Sequence, residues 1–471
     1  MIRRTLIGMA TLVVGGSVGA FWFKSKETVS DVIVVGGGYA GLAAAVSAAK
    51  KGLKVVVIEK RARVGLNTHS DRGLFASSKS PSGEPSFGDS VENHFRQSYD
   101  SGGRLADPAV LQAFVSRAPE TLAWLGNLGM SFDKTAINSN SLWRRCYQPL
   151  QNGYVETLYR EAIRLGVYFV FNEKVIDIQR TSNRMDVVIT STDRGNKKEY
   201  KGRYGIILCA GGFGANLSLI KRFSPKYEQL ESDNEQGSSG EVLLLAKEKG
   251  AALCGLDRIL CLPRPPGNFK SQGYLHLNVS RFIFINSQGK RFVSEDALRP
   301  AITEAFFREG NNPVYELADD LAVKNYQLDI QKDLWRGIEH GTVFKGKNLA
   351  DLASKLSIPP DLLVDTVERY NSFVENKKDL DFGKSSLNLL HKIAHGPFWA
   401  VRVNMKIHES LGGLVIDERC RVLDEANHPI LGLYGAGSIV GNVHGNNRLG
   451  GNGLSSSITL GRLAGQEVGR I

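Results

Sequence analysis

The sequence predicts an α/β fold: a parallel-sheet domain built from two separated chain segments, with an α+β domain inserted between them. Three observations predict it. A complete strand–turn–helix–strand unit occupies residues 31–59. A second strand-and-glycine element, Gly432 to Gly437, lies near the end of the chain. Between the two, residues from about 260 to 390 lose the Gly/Val-rich strand pattern of the flanks.

With 471 residues, 42% apolar and 23% charged, the chain is long enough for two or three folded units. The expected division is 1–27 as a signal or membrane anchor, 28–258 and 392–471 as the two segments of the sheet domain, and 259–391 as the inserted cap. Within the first unit, Met1-Ile2-Arg3-Arg4 precedes the uncharged run Leu6 to Phe23. A run of that length can just cross a hydrocarbon core. Arg3-Arg4 resembles a twin-arginine export signal, and no clear A-x-A site follows, which favours an uncleaved anchor. The expectation is a membrane-anchored protein facing the periplasm or another extracytoplasmic space. The cytoplasmic face stays open, because Arg3 and Arg4 on one side and Lys24 and Lys26 on the other do not set orientation.

The net charge is +11, with no block of like charges. Small anions and lipid head groups are favoured over nucleic acid. Five cysteines, an odd number without CxxC spacing, argue against a disulfide framework, a zinc site and an iron–sulfur cluster. No metal is expected.

Asp31 to Val35 is a short apolar run, as in a buried parallel strand. An Ala-rich helix, Leu42 to Lys51, stops at Gly52, and Lys54 to Ile58 forms the next strand, ending in Glu59. Val167 to Phe171, Val175 to Ile178, Met185 to Thr190 and Tyr204 to Cys209 read as further strands. The insert carries a hairpin about Asn286 to Gly289 and a helix from Pro359 to Glu375. The chain ends in a helix, Ser455 to Val468.

The turn Gly36-x-Gly38-x-x-Gly41 lies between strand and helix. Gly36 allows a tight turn, Gly38 lets the backbone approach a pyrophosphate, and Gly41 lets helix pack on strand. The helix N-terminus offers free N–H groups and a positive dipole end to phosphates. Glu59 is placed to accept hydrogen bonds from ribose hydroxyls. This is a Rossmann-type dinucleotide fingerprint. FAD is preferred to NAD because Gly435-Ala436-Gly437 and a helix opening at Asn452-Gly453-Leu454-Ser455 stand at the other end of the chain. Such a helix directs its dipole at the flavin and stabilises negative charge on its reduced form. The whole arrangement is glutathione-reductase-like.

From about residue 30 the chain resembles the flavoprotein family of soluble fumarate reductases, flavocytochrome c flavin subunits, urocanate reductases and 3-ketosteroid dehydrogenases. Five segments carry the resemblance: the fingerprint with Glu59, Gly65 to Thr68, Ala210 to Phe213, Gly289 to Glu295, and Val443 to Asn452. It implies hydride exchange between flavin N5 and a carbon beside a carbonyl or carboxylate. It adds Tyr39, Ala40, Lys60, Asn67, Thr68 and Gly73 to the cofactor-binding candidates, with Val175, Ala210 and Gly211 on later strands. It implies Arg299 as the catalytic proton donor and Arg448 as the clamp on a substrate carboxylate, where a guanidinium fork binds bidentately. His444 joins them as a substrate-binding candidate. Arg299 could also serve only as an ion-pair partner of Glu295 or Asp296.

The chain departs from the family where the reductases carry His-Thr-Met-Gly-Gly: here stands Glu409-Ser410-Leu411-Gly412-Gly413. Glu409 replaces the substrate-binding histidine, and His408 is one position off. The family's second histidine element falls on Leu262-Pro263-Arg264. Its proton-relay Glu and Arg fall near Leu275 and Asn278. Glu409 could repel a second carboxylate or accept a hydrogen bond from substrate. Covalent flavin at His69 is disfavoured because the register around it is off. Two functions therefore stand: a C–C oxidoreductase taking a small anionic substrate with a separate electron partner (quinone, cytochrome or oxygen), or a flavin redox partner or maturation protein whose substrate site has decayed.

Overall fold

The structure, a computed structural model, describes residues 27–65, 73–134, 136–137, 143–180, 186–192, 194–267, 273–276, 278–326 and 328–470. The run Leu6 to Phe23 lies outside them. No helix among the described residues is long and apolar enough to cross a membrane.

An eight-stranded sheet forms the first body. Its strands run in the order Arg421–Leu423, Pro429–Gly435, Lys197–Leu208, Glu27–Val35, Val55–Glu59 and Tyr168–Phe171. The five from Pro429–Gly435 to Tyr168–Phe171 are parallel. Their centres, Val32 to Val35, Val55 to Ile58 and Ile206 to Leu208, are buried, which is why they read as unbroken apolar runs. The hairpin Glu173–Arg180 and Asp186–Thr192 pairs with the first half of Lys197–Leu208.

The first helix is Tyr39–Ala49, with Gly38 as its N-cap. It begins before the expected Leu42, so its free N–H groups belong to the glycine turn itself. The closing helix, Asn452–Glu467, packs along it. A Cβ on Gly461 would lie 2.3 Å from the Ala40 carbonyl oxygen, so this contact holds only without a side chain. The first and last helices of the described residues thus meet face to face.

A second, six-stranded sheet is centred on the long strand Phe398–Ser410. Val314–Asp319, Ile259–Arg264 and Val343–Gly346 pair with it antiparallel, and Ile283–Ile285 follows Val314–Asp319. Helices including Pro360–Asn376 cover it with a separate core around Leu317, Leu363, Val367 and Tyr370. The boundary expected at 391–392 therefore does not divide the sheets: Phe398–Ser410 is shared with the strands of the insert. The short strand Glu231–Ser232, before the expected start at 259, joins the same sheet. The hairpin forms at Asn286 to Gly289, where the Asn286 side chain accepts from the Gln288 and Lys290 N–H groups.

Candidate active site

The glycine turn behaves as its spacing demands. Gly36 has φ 105°, and a Cβ there would lie 2.4 Å from the Cys209 carbonyl oxygen. A Cβ on Gly41 would lie 1.9 Å from the Gly36 oxygen. Gly38 differs: a Cβ there meets nothing within 4 Å. It opens into a cavity of about 390 Å³ that runs from Glu59 to the underside of the cap. Glu59 is buried, and its carboxylate accepts from the Gly37 and Arg61 N–H groups, each at 2.8 Å. Lys60 pairs with Glu241 at 2.6 Å.

Gly36, Gly38, Tyr39, Ala40, Glu59, Lys60, Gly73, Val175, Ala210, Gly211, Gly437, Gly453 and Leu454 all line this cavity. The open backbone at Gly38, the fixed carboxylate and two helix N-termini fit the diphosphate, ribose and isoalloxazine of FAD. Asn67 and Thr68 lie outside the described residues, as do His69, Asp71 and Arg72.

Besides Gly41, which sits in the strand–helix junction, three candidates are placed elsewhere. Asn452 turns inward, bonding His94 Nε2 and donating to Ser98 Oγ, both at 2.9 Å. Ser455 Oγ donates to the Gly451 carbonyl at 2.9 Å. They share one helix face, three residues apart, and anchor the helix, while Gly453, Leu454 and Ser457 face the cavity. His444 does not line the cavity; its Nε2 meets Ser456 Oγ at 3.0 Å. Burial pushes its pKa down to about 4; Glu409 opposes the shift and Arg448 adds to it.

Under the cap, Arg299, Arg448 and Glu409 converge on the cavity. Arg299 begins the helix Arg299–Glu309 and donates to the Arg448 carbonyl. It does not pair with Glu295, which holds Arg291 and Lys384 at 3.0 Å, or with Asp296, which accepts from Ser385 N and Asn388. Burial and then the charges of Arg448 and Arg264 push its pKa down to about 9, against the pull of Glu409. Arg448 Nε donates to Glu409 Oε2, and Ser438 Oγ donates to Glu409 Oε1 at 2.7 Å. Burial alone would raise the Glu409 pKa; Arg448, His444 and the Ser438 bond overcome it and hold the group at about 2. Glu409 is thus a fixed anion in the site.

A second network fills the place of the missing family partners. Arg264 Nε donates to Asp233 at 3.0 Å, and Arg264 Nη1 meets His276 Nε2 at 3.0 Å. His276 Nδ1 lies 2.6 Å from Glu316, and His408 Nδ1 lies 2.9 Å from Asp233. Arg264, His276 and His408 line the cavity. Burial first, then Arg264 and Arg299, lower the His276 pKa against the pull of Glu316. Sequence reasoning missed His276, Asp233 and Glu316. The one available signal was Glu316 itself, an acid inside the apolar run Val314 to Ala318 and fully buried.

The FAD binding domain family matches residues 31–454. The chain is 28% identical to an NADH:acrylate oxidoreductase of Vibrio harveyi, over 98% of this chain and 53% of that protein, so it spans about half of that relative's length. It is 30% identical to a cytochrome-type fumarate reductase of Shewanella frigidimarina, over 93% of this chain and 77% of the relative. The solved open conformation of a flavocytochrome c3 fumarate reductase shares the fold: TM-score 0.74 at 24% identity, covering 93% of this chain and 78% of that one. With the glycine cradle, the fixed Glu59 and a match over nearly its whole length, the chain belongs to the FAD binding domain family and is an FAD-dependent oxidoreductase.

Proposed function

We propose that the chain reduces a C=C bond conjugated to a carboxylate or carbonyl, using electrons from a separate donor such as a cytochrome or a quinol. Bound FAD supplies a hydride to one carbon of that bond. The observation that carries the reading is the pair Arg299 and Arg448, both facing the cavity under the cap, with Arg299 free of any carboxylate partner among the described residues. A site decayed to a mere redox relay would have no cause to keep a half-buried guanidinium that is bonded to no carboxylate, which is costly to desolvate.

The residues divide the remaining work. Arg448 presents its Nη groups to the substrate carboxylate, because only its Nε is committed to Glu409. Arg299 holds a proton over the carbon next to the one that receives hydride. An arginine is normally too weak an acid for this step. Burial between two other arginines brings its pKa to about 9, within reach of proton transfer near neutral pH.

The test is anaerobic. Holoenzyme is reduced with dithionite and mixed with enoates, enones and quinones while flavin absorbance is followed. The expected result is reoxidation by at least one enoate or enone. Reoxidation by quinones alone would favour the redox-partner reading.

A further inference from the structure

We propose that Glu409 sets the charge of the substrate: the site takes an enoate carrying a single carboxylate and an uncharged, apolar far end, and turns dicarboxylates away. The assignment rests on the C=C reduction reading and specifies which molecules that reading admits.

Three guanidiniums face the cavity, and two are already neutralised. Arg448 is bonded to Glu409, and Arg264 to Asp233 at 3.0 Å. Arg299 alone among the three donates to a backbone carbonyl instead. One substrate carboxylate can bind the Nη groups of Arg448, which leaves Arg299 for the proton. A second would find only Arg264, already bonded to Asp233. It would also lie near Glu409, whose two oxygens are held by Arg448 and Ser438 and cannot turn away. Glu316 lies behind His276 and adds a further negative charge on that side.

Part of the cavity wall agrees. Val279, Phe282, Phe284, Ile302 and Met405 line it and offer a carboxylate no side-chain donor. They suit an alkyl or aryl substituent on the double bond.

The experiment uses reduced holoenzyme with two probes, fumarate and 3-phenylacrylate. The wild-type protein is expected to use 3-phenylacrylate at least about 100-fold better than fumarate in kcat/KM. Glu409→Gln keeps the side-chain size and removes the charge, and should narrow that ratio by about tenfold or more. Glu409→His is the second variant, and the spectrum of bound FAD reports whether each has folded. Equal use of the two acids by the wild type, or an unchanged ratio in both folded variants, overturns the assignment and leaves C=C reduction standing. If neither acid nor any other enoate reoxidises the flavin, the reduction reading falls and the assignment falls with it. Should neither variant hold FAD, the wild-type preference alone decides.

Discussion

Replacing Arg299 with alanine is expected to slow enoate reduction by about three orders of magnitude, the scale of a lost general acid, with FAD still bound. The side chain has no carboxylate partner among the described residues, so its removal leaves no unpaired anion there. The helix it opens, Arg299–Glu309, is held by Ile302, Ala305 and Phe306, which are buried. Folding should therefore survive. Most of the loss should appear in kcat, because Arg448 remains to hold the carboxylate. The pH dependence follows from the same residue. Its folded pKa of about 9 lies below the ordinary value, so it carries its proton below that pH and loses it above. For the free enzyme, kcat/KM should be level up to about pH 9 and then fall roughly tenfold per unit. Stopped-flow reoxidation of wild type and Arg299→Ala across pH checks both points. An alanine variant as fast as wild type would remove Arg299 from the chemistry.

Valine at Gly38 and at Gly41 should fail in opposite ways. At Gly41 the new Cβ would overlap the Gly36 carbonyl at 1.9 Å, inside the strand–helix junction. The expected cost exceeds about 3 kcal/mol, at the severe end of overpacking, and the variant should be insoluble or unfolded. At Gly38 the backbone is extended, with φ −82°, and a Cβ meets nothing. Gly38→Val should fold and keep its secondary structure. Its side chain fills the space where the backbone must approach the diphosphate, so FAD affinity should drop at least about 100-fold. Circular dichroism with a flavin absorbance titration separates the two. A yellow, FAD-saturated Gly38→Val would place the diphosphate somewhere else.

The βαβ unit was legible because parallel strands buried on both faces are written as plain apolar runs. Its glycine spacing is set by two backbone contacts that no side chain permits. The limit of the cap was not legible. Phe398–Ser410 carries the same apolar character as the strands that follow it, and only its pairing with residues 259–346 assigns it to the second sheet. In the site, Arg299 and Arg448 stood out through the motifs around them. Glu409 stood out as a substitution, but its bond to Arg448 joins the end of a strand to a loop 39 residues on, and no local pattern records it. The Asp233, Arg264, His276 and Glu316 network joins two strands, Ile259–Arg264 and Val314–Asp319, to two residues outside strands, Asp233 and His276. Asn452 and Ser455 misled because a helix opening with polar residues reads as ligand-facing. Which face turns inward was decided by His94 and Ser98, more than 350 positions upstream.

The most direct measurement is a product count in a single anaerobic turnover. Stoichiometrically reduced holoenzyme is mixed with excess 3-phenylacrylate, and the organic products are quantified against the flavin reoxidised. Delivery of one hydride and one proton across the double bond predicts one 3-phenylpropanoate for each FAD returned to its oxidised spectrum. Flavin that reoxidises without a matching yield of saturated acid would contradict it.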